Sequence, residues 1–198
     1  MLSCPLPLIL ASRSPRRKKL LRQIGLHFRI IPSGADETFQ KEISPARNAR
    51  NVALRKARDV AGRLKKGIVI GADTIVVLNR NILGKPVSSE DAKRMLRLLS
   101  GGKHCVYTGI ALVDVRSKRE WSAVERTFVK FRKLSSDEID RYVASGSPMD
   151  KAGAYGIQDD YGAVFVEEVH GCFYNVVGFP LARFSLLLES AVQSLRKG

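Results

Sequence analysis

Ile68-Val69-Ile70-Gly71-Ala72-Asp73-Thr74-Ile75-Val76-Val77 is the most apolar stretch of the chain, and its Ile and Val content marks it as a buried strand. The strand is expected over Gly67 to Leu78, turning over Asn79-Arg80-Asn81 and returning briefly through Ile82-Leu83 to Gly84-Lys85-Pro86. Strand and helix signals alternate before it. Leu6 to Ala11 reads as a short buried strand, and Ser14-Pro15 supplies an N-cap with proline at the first helical position, so a helix is predicted to about Gly25. Phe28 to Pro32 is a second strand, and Ser44-Pro45 repeats the same start for a long helix to around Lys66. After the central strand, Ser88 or Ser89, with Glu90 and Asp91 in the first turn, caps a helix that stops at Ser100-Gly101-Gly102.

The second half changes character. Cys105 to Val115 and Trp121 to Phe131 are long alternating runs joined by Arg116-Ser117-Lys118-Arg119, the pattern of an antiparallel pair. Ser135-Ser136-Asp137-Glu138 caps a short helix ending near Gly146, and a glycine-rich stretch from Asp150 to Gly162 reads as a functional loop. Ala163 to Val169 and Phe173 to Val177 are predicted strands, and Pro180 opens a last helix with Leu181, Phe184, Leu187, Leu188, Ala191, Val192 and Leu195 at helical spacing. The class is α/β with a mixed twisted sheet and flanking helices.

At 198 residues and 44% hydrophobic, the chain is long enough for one well-buried domain, or two closely packed lobes, and too apolar to be disordered. Its apolar runs, such as Leu6 to Ala11, fall far short of the roughly 20 residues a membrane helix needs. The cations Arg13, Arg16, Arg17, Lys18 and Lys19 follow the first apolar run instead of preceding it, so no signal peptide is expected. Cys4, Cys105 and Cys172 form neither a disulfide framework nor a zinc pattern, which points to the cytoplasm. The net charge of +15 is uneven: residues 1–100 hold 21 Lys and Arg against 7 acids, residues 101–198 hold 13 against 12. Such a surface suits a polyanion, whether a nucleotide polyphosphate, a nucleic acid or an acidic lipid, or serves as a solvated basic face.

Six features carry chemistry. The turn Ala11-Ser12-Arg13-Ser14-Pro15-Arg16-Arg17 joins a buried strand to a helix N-terminus, where backbone N–H groups, hydroxyls and guanidinium forks converge on an anion. On the long helix, Ala49, Val52, Ala53, Ala57 and Val60 trace one apolar stripe, and Lys56 falls inside it, so it either snorkels to the rim or meets a buried anion. Asp73 is the matching violation in the central strand: a carboxylate there must coordinate a metal, act as a base or accept hydrogen bonds in a structural pair. Glu37, in Gly34-Ala35-Asp36-Glu37-Thr38, is a plausible second carboxylate, and Lys85 a second phosphate cation. Asp150 to Gln158 has the small-residue density that lets backbone approach a ligand. His27, His104 and His170 lack metal-ligand spacing, and a nucleophile elbow, a Walker loop and a dinucleotide fingerprint are all missing. Two carboxylates suited to a hard cation and several cations suited to a polyphosphate remain.

Together these segments resemble the Maf family of nucleotide pyrophosphatases. Leu10-Ala11-Ser12 with Ser14-Pro15-Arg16-Arg17, Gly71-Ala72-Asp73-Thr74, Gly84-Lys85-Pro86, Asp150 through Gln158, and Asn175-Val176-Val177-Gly178 before Pro180 match in order over nearly the whole chain. The resemblance implies a single Maf-like domain over residues 1–198, with an inosine-triphosphatase-like fold of two lobes around a cleft, usually in a homodimer. It implies hydrolysis of a nucleoside triphosphate to the monophosphate and pyrophosphate, dependent on Mg²⁺ or Mn²⁺. Residue by residue, Asp73 matches the family's catalytic acid or base and Glu37 a second carboxylate, the two also being the metal ligands, while Ser12, Arg17, Lys56 and Lys85 match phosphate-handling positions. Arg16, Thr74 and Gln158 match positions tied to base choice. Asp73-Thr74 resembles the branch preferring dTTP and UTP, whereas an Asp-Gln pair goes with 7-methyl-GTP. Asp159-Asp160-Tyr161 departs from the family's single-glycine continuation. The alternatives are a pyrophosphatase for modified or purine nucleotides and a non-catalytic nucleic-acid-binding protein. The second lacks an aromatic single-strand platform and a recognition helix.

Overall fold

The computed structural model describes residue 2, residues 4–158 and residues 161–196; Asp159 and Asp160 lie outside them. In chain order the elements are β1 (Leu8–Leu10), α1 (Pro15–Gln23), β2 (Phe28–Ile30), α2 (Pro45–Ala61), β3 (Ile68–Leu78), β4 (Asn81–Leu83), α3 (Ser89–Leu99), β5 (Lys103–Asp114), β6 (Glu120–Phe131), α4 (Ser136–Ala144), β7 (Val166–His170), α5 (Phe173–Val177) and α6 (Leu181–Arg196). The strands form one mixed sheet in the order β2-β1-β3-β5-β6-β7, with β4 paired to β3. The chain divides into two compact units, one of Met1–Asp73, Thr108–Glu125 and Gly178–Gly198, the other of Thr74–Tyr107 and Arg126–Val177.

In the first unit β1 pairs in parallel with both β2 and β3, placing Leu8 opposite Phe28 and Ile68. The core of this layer comprises Ile9, Ala53, Ala57, Val60, Val69, Ala111 and Val113, all buried. The alanines of α2 let the helix lie almost against the sheet, and two glycines complete the approach. A Cβ on Gly71 of β3 would overlap the Ala53 carbonyl oxygen, and one on Gly109 of β5 would overlap the Ala49 carbonyl. Ser14 and Ser44 accept from the backbone N–H groups of Arg17 and Arg47, so both Ser-Pro starts are N-caps as expected. The long helix ends at Ala61 and not near Lys66: past Gly62 the backbone bonds tighten, with the Arg63 and Leu64 N–H groups reaching only three residues back, to the Val60 and Ala61 carbonyls.

In the second unit β3 turns through Asn79 and Arg80, both with positive φ, into antiparallel β4. Leu96, Leu99, Phe131, Tyr142, Tyr155 and Phe165 form its core, and Ser135 with Glu138 closes a capping box on α4.

Two predicted strands are corrected. Tyr161–Phe165 forms a 3₁₀ turn and the strand starts only at Val166. Gly162 and Ala163 favour strand weakly, and the turn directs Phe165 edge-on against Tyr142. Phe173–Val177 is a short helix, not a strand. So short a segment does not distinguish the two states by its pattern, and tertiary bonding decides it: buried Asn175 donates from its amide nitrogen to the Val106 carbonyl and to Thr127 Oγ1.

Candidate active site

The β1–α1 turn folds around Ser12. Its hydroxyl oxygen accepts from the Ser14 N–H at 3.1 Å and from Arg17 Nη1 at 3.4 Å. Arg17, in the first turn of α1, is buried, and its Nε donates to the Gly178 carbonyl at 3.0 Å. That bond gives a structural reason for the motif before Pro180. Burial lowers the guanidinium pKa, while the nearby Asp73 carboxylate opposes the shift; an arginine stays charged regardless. The first turn of α1 carries no acid, so its positive end faces no carboxylate of its own. Arg16 is half-buried beside Arg17.

The inward lysine and the buried aspartate meet. Lys56 Nζ donates to Asp73 Oδ1 at 2.8 Å and lies 2.9 Å from Glu37 Oε2. Lys56 and Asp73 are 7% and 5% exposed, so this ammonium does not snorkel to the rim. Burial pushes the Asp73 carboxyl above its ordinary range, and the charges of Lys56 and Arg17 pull it back. Asp73 Oδ2 is buried with no hydrogen-bond partner, a position that is costly unless something else approaches it.

Glu37 reaches Lys56 from a loop that α2 holds in place. Asp36 Oδ1 accepts from the N–H and hydroxyl of Thr38, forming a turn with Glu37 at its middle. Arg55 donates from Nε to the Asp36 carbonyl at 2.9 Å and from Nη2 to the Thr38 carbonyl at 2.7 Å. Asp59 takes the Ser33 hydroxyl and the Gly34 N–H, and Asn48 exchanges bonds with the Gln40 backbone.

The structure thus brings together Ser12, Arg17, Glu37, Lys56 and Asp73 within one unit. Thr74, Lys85 and Gln158 belong to the other. Thr74 follows Asp73 on β3 and is half-buried, Lys85 is exposed after β4, and Gln158 is half-buried. The Gly153 N–H donates to the Gly84 carbonyl, which fastens the glycine-rich loop beside Lys85.

A family model described as Maf-like protein matches residues 7–191. The chain belongs to the Maf family. A relative from Pelotomaculum thermopropionicum, named dTTP/UTP pyrophosphatase, is 51% identical to this Maf chain over 182 residues, covering 92% of this chain and 95% of the relative. Another of the same name, from Salinibacter ruber, is 48% identical over 194 residues, covering 98% and 94%. Among solved structures, the Staphylococcus aureus Ham1 protein matches with a TM-score of 0.53 at 15% identity, covering 93% of this chain and 99% of that one. That similarity is one of fold.

Divalent metal use is the expectation for Maf proteins. Among the described residues no group of three or more His, Cys, Asp or Glu is placed to hold an ion. The unpartnered Asp73 Oδ2 and the Glu37 carboxylate nevertheless fit a hard cation that takes its other ligands from substrate phosphate and water. No helix among the described residues of this Maf chain is long and apolar enough to cross a membrane. Sequence reasoning missed Arg55, Gly109 and the Gly178 carbonyl. Arg55 acts through backbone oxygens and leaves no motif, whereas a glycine in an alternating strand, as at Gly109, signals a close backbone approach.

Proposed function

We propose that this Maf protein hydrolyses dTTP and UTP to the nucleoside monophosphate and pyrophosphate. The observation that carries the chemistry is the buried Asp73–Lys56 pair, whose ammonium also meets Glu37, with Arg17 close enough to act on the Asp73 charge. The base preference rests on the relatives named dTTP/UTP pyrophosphatase and on Asp73-Thr74.

Water attacks the α-phosphorus, the bond from that phosphorus to the bridging oxygen breaks, and pyrophosphate leaves with that oxygen. The water's proton passes to one of the two carboxylates, Asp73 or Glu37. A divalent cation, Mg²⁺ or Mn²⁺, held by Glu37 and Asp73, supplies charge neutralisation on the phosphate oxygens when bound. Ser12 and Arg17 orient the triphosphate at the N-terminus of α1. Lys56 holds both carboxylates in place and offsets charge in the transition state, and Lys85 is assigned to phosphate handling on its motif position. Arg16, Thr74 and Gln158 are assigned to base choice on their motif positions.

The family match over residues 7–191 supports one nucleotide pyrophosphatase domain. We assign it to the cytoplasm, as a homodimer; its three cysteines are unpaired. A nucleotide panel with Mg²⁺ or Mn²⁺ and separate detection of pyrophosphate and orthophosphate tests the proposal. Pyrophosphate release greatest from dTTP and UTP is expected. Orthophosphate release overturns the reaction, and preference for 7-methyl-GTP overturns the base assignment.

A further inference from the structure

We infer that Arg55 is a positioning residue for Glu37. This rests on the reading of Glu37 as a working carboxylate. The guanidinium spans the residues on either side: Nε holds the Asp36 carbonyl and Nη2 the Thr38 carbonyl. Between those two anchored peptides, the Asp36 side chain bonds back to Thr38, so Glu37 sits on a short turn fixed at both ends. Its carboxylate then meets Lys56, the next residue of α2 after Arg55. One helix therefore supplies both the ammonium that Glu37 contacts and the fork that holds the Glu37 backbone. The Glu37 side chain is half-exposed, so packing does little to fix it and the backbone clamp carries the orientation. A planar fork is needed for this, because a lysine at the same place donates from a single point and cannot span two carbonyls.

The test compares Arg55→Met, Arg55→Lys and Glu37→Gln, singly and with Arg55→Met combined with Glu37→Gln, in steady-state kinetics on dTTP and UTP. Backbone amide exchange of residues 35–38 is followed in parallel. Arg55→Met keeps the aliphatic stem, and the protein should fold normally by thermal melting. We expect kcat to fall by about 10- to 100-fold, the scale of a small misplacement of a reacting group. Amide exchange in the turn should rise, and Arg55→Lys should behave like Arg55→Met. Adding Arg55→Met to Glu37→Gln should cost nothing further, because the clamp acts through a group already disabled. Full activity in Arg55→Lys would show that only positive charge is needed and overturns the inference. So does an equal further loss on the Glu37→Gln background, or unchanged exchange in the turn. Near-normal turnover in Glu37→Gln alone overturns the reading of Glu37 itself, and the inference with it, in a variant where Arg55 is intact.

Discussion

Gly71 and Asp73 stand on the same face of β3, and both are turned towards α2: the glycine makes room for the helix backbone at Ala53, and the aspartate receives the Lys56 ammonium one turn further on. The absent side chain sets the distance at which the ion pair forms. Gly71→Ala should therefore damage packing and chemistry together. Forcing a methyl group against the Ala53 carbonyl costs about 2 to 3 kcal/mol, which for a chain of this size is about 5–10 °C in melting temperature. Differential scanning calorimetry reads the first effect and dTTP turnover the second. An alanine variant with unchanged melting would sink the close-approach argument.

Asp73→Asn retains volume and some hydrogen bonding but can neither accept a proton usefully nor match the carboxylate's attraction for a cation. Turnover of dTTP should fall by about 10³-fold or more. Lys56 keeps Glu37 as a partner, so circular dichroism should show an intact fold. Near-normal kinetics in a well-folded variant would leave Asp73 as a structural partner of Lys56.

Lys56→Met preserves the apolar stem on the α2 stripe and removes one charge. We expect kcat/KM to drop by about 10²- to 10³-fold. Its stability should also acquire a pH dependence with a defined sign. Without the ammonium, the folded-state pKa of Asp73 rises further above its unfolded value, so the native state binds more protons than the unfolded one. The variant should then gain stability relative to the parent as pH falls from 8 to 5, as read by thermal melting at each pH. A constant difference between the two proteins would contradict the buried pairing.

His104 gives a pH effect of the opposite sign. Its Nε2 pairs with the Tyr155 hydroxyl at 2.8 Å, Nδ1 is buried without a partner, and burial pushes its pKa down to about 4. The unfolded chain takes up this proton near pH 6.5, and the native state only near its depressed value. Stability should therefore be lost as pH falls between those limits, by about 3 kcal/mol in all. Urea melts from pH 7 to pH 4.5 of the parent and of His104→Phe test this, since the variant should lack that component of the slope.

Lys56 and Asp73 were legible in the sequence because each breaks a regular pattern, a charge in a helical stripe and a charge in an apolar strand. The Ser-Pro helix starts were legible because capping is local chemistry. Phe173–Val177 was misread as a strand because its state depends on bonds that Asn175 makes to Val106 and Thr127, far away in the chain. The route by which Glu37 reaches Lys56 was equally hidden. It depends on an arginine bonding to main-chain oxygens, which any residue at positions 36 and 38 would offer.

The anchoring of the Glu37 loop along α2 also limits what insertions and deletions this gene can tolerate. Asn48, Arg55 and Asp59 grip the loop at three heights of one helix, and Lys56 points from the same helix into the site. One residue added or removed between Asn48 and Arg55 would turn the anchors by about 100° and shift them about 1.5 Å relative to one another. No single substitution elsewhere could restore the register. A length change in the Arg116–Arg119 turn would leave these contacts untouched and cost instead the bonds of Asp114 to Ser117 and of Arg119 to the Ser194 carbonyl.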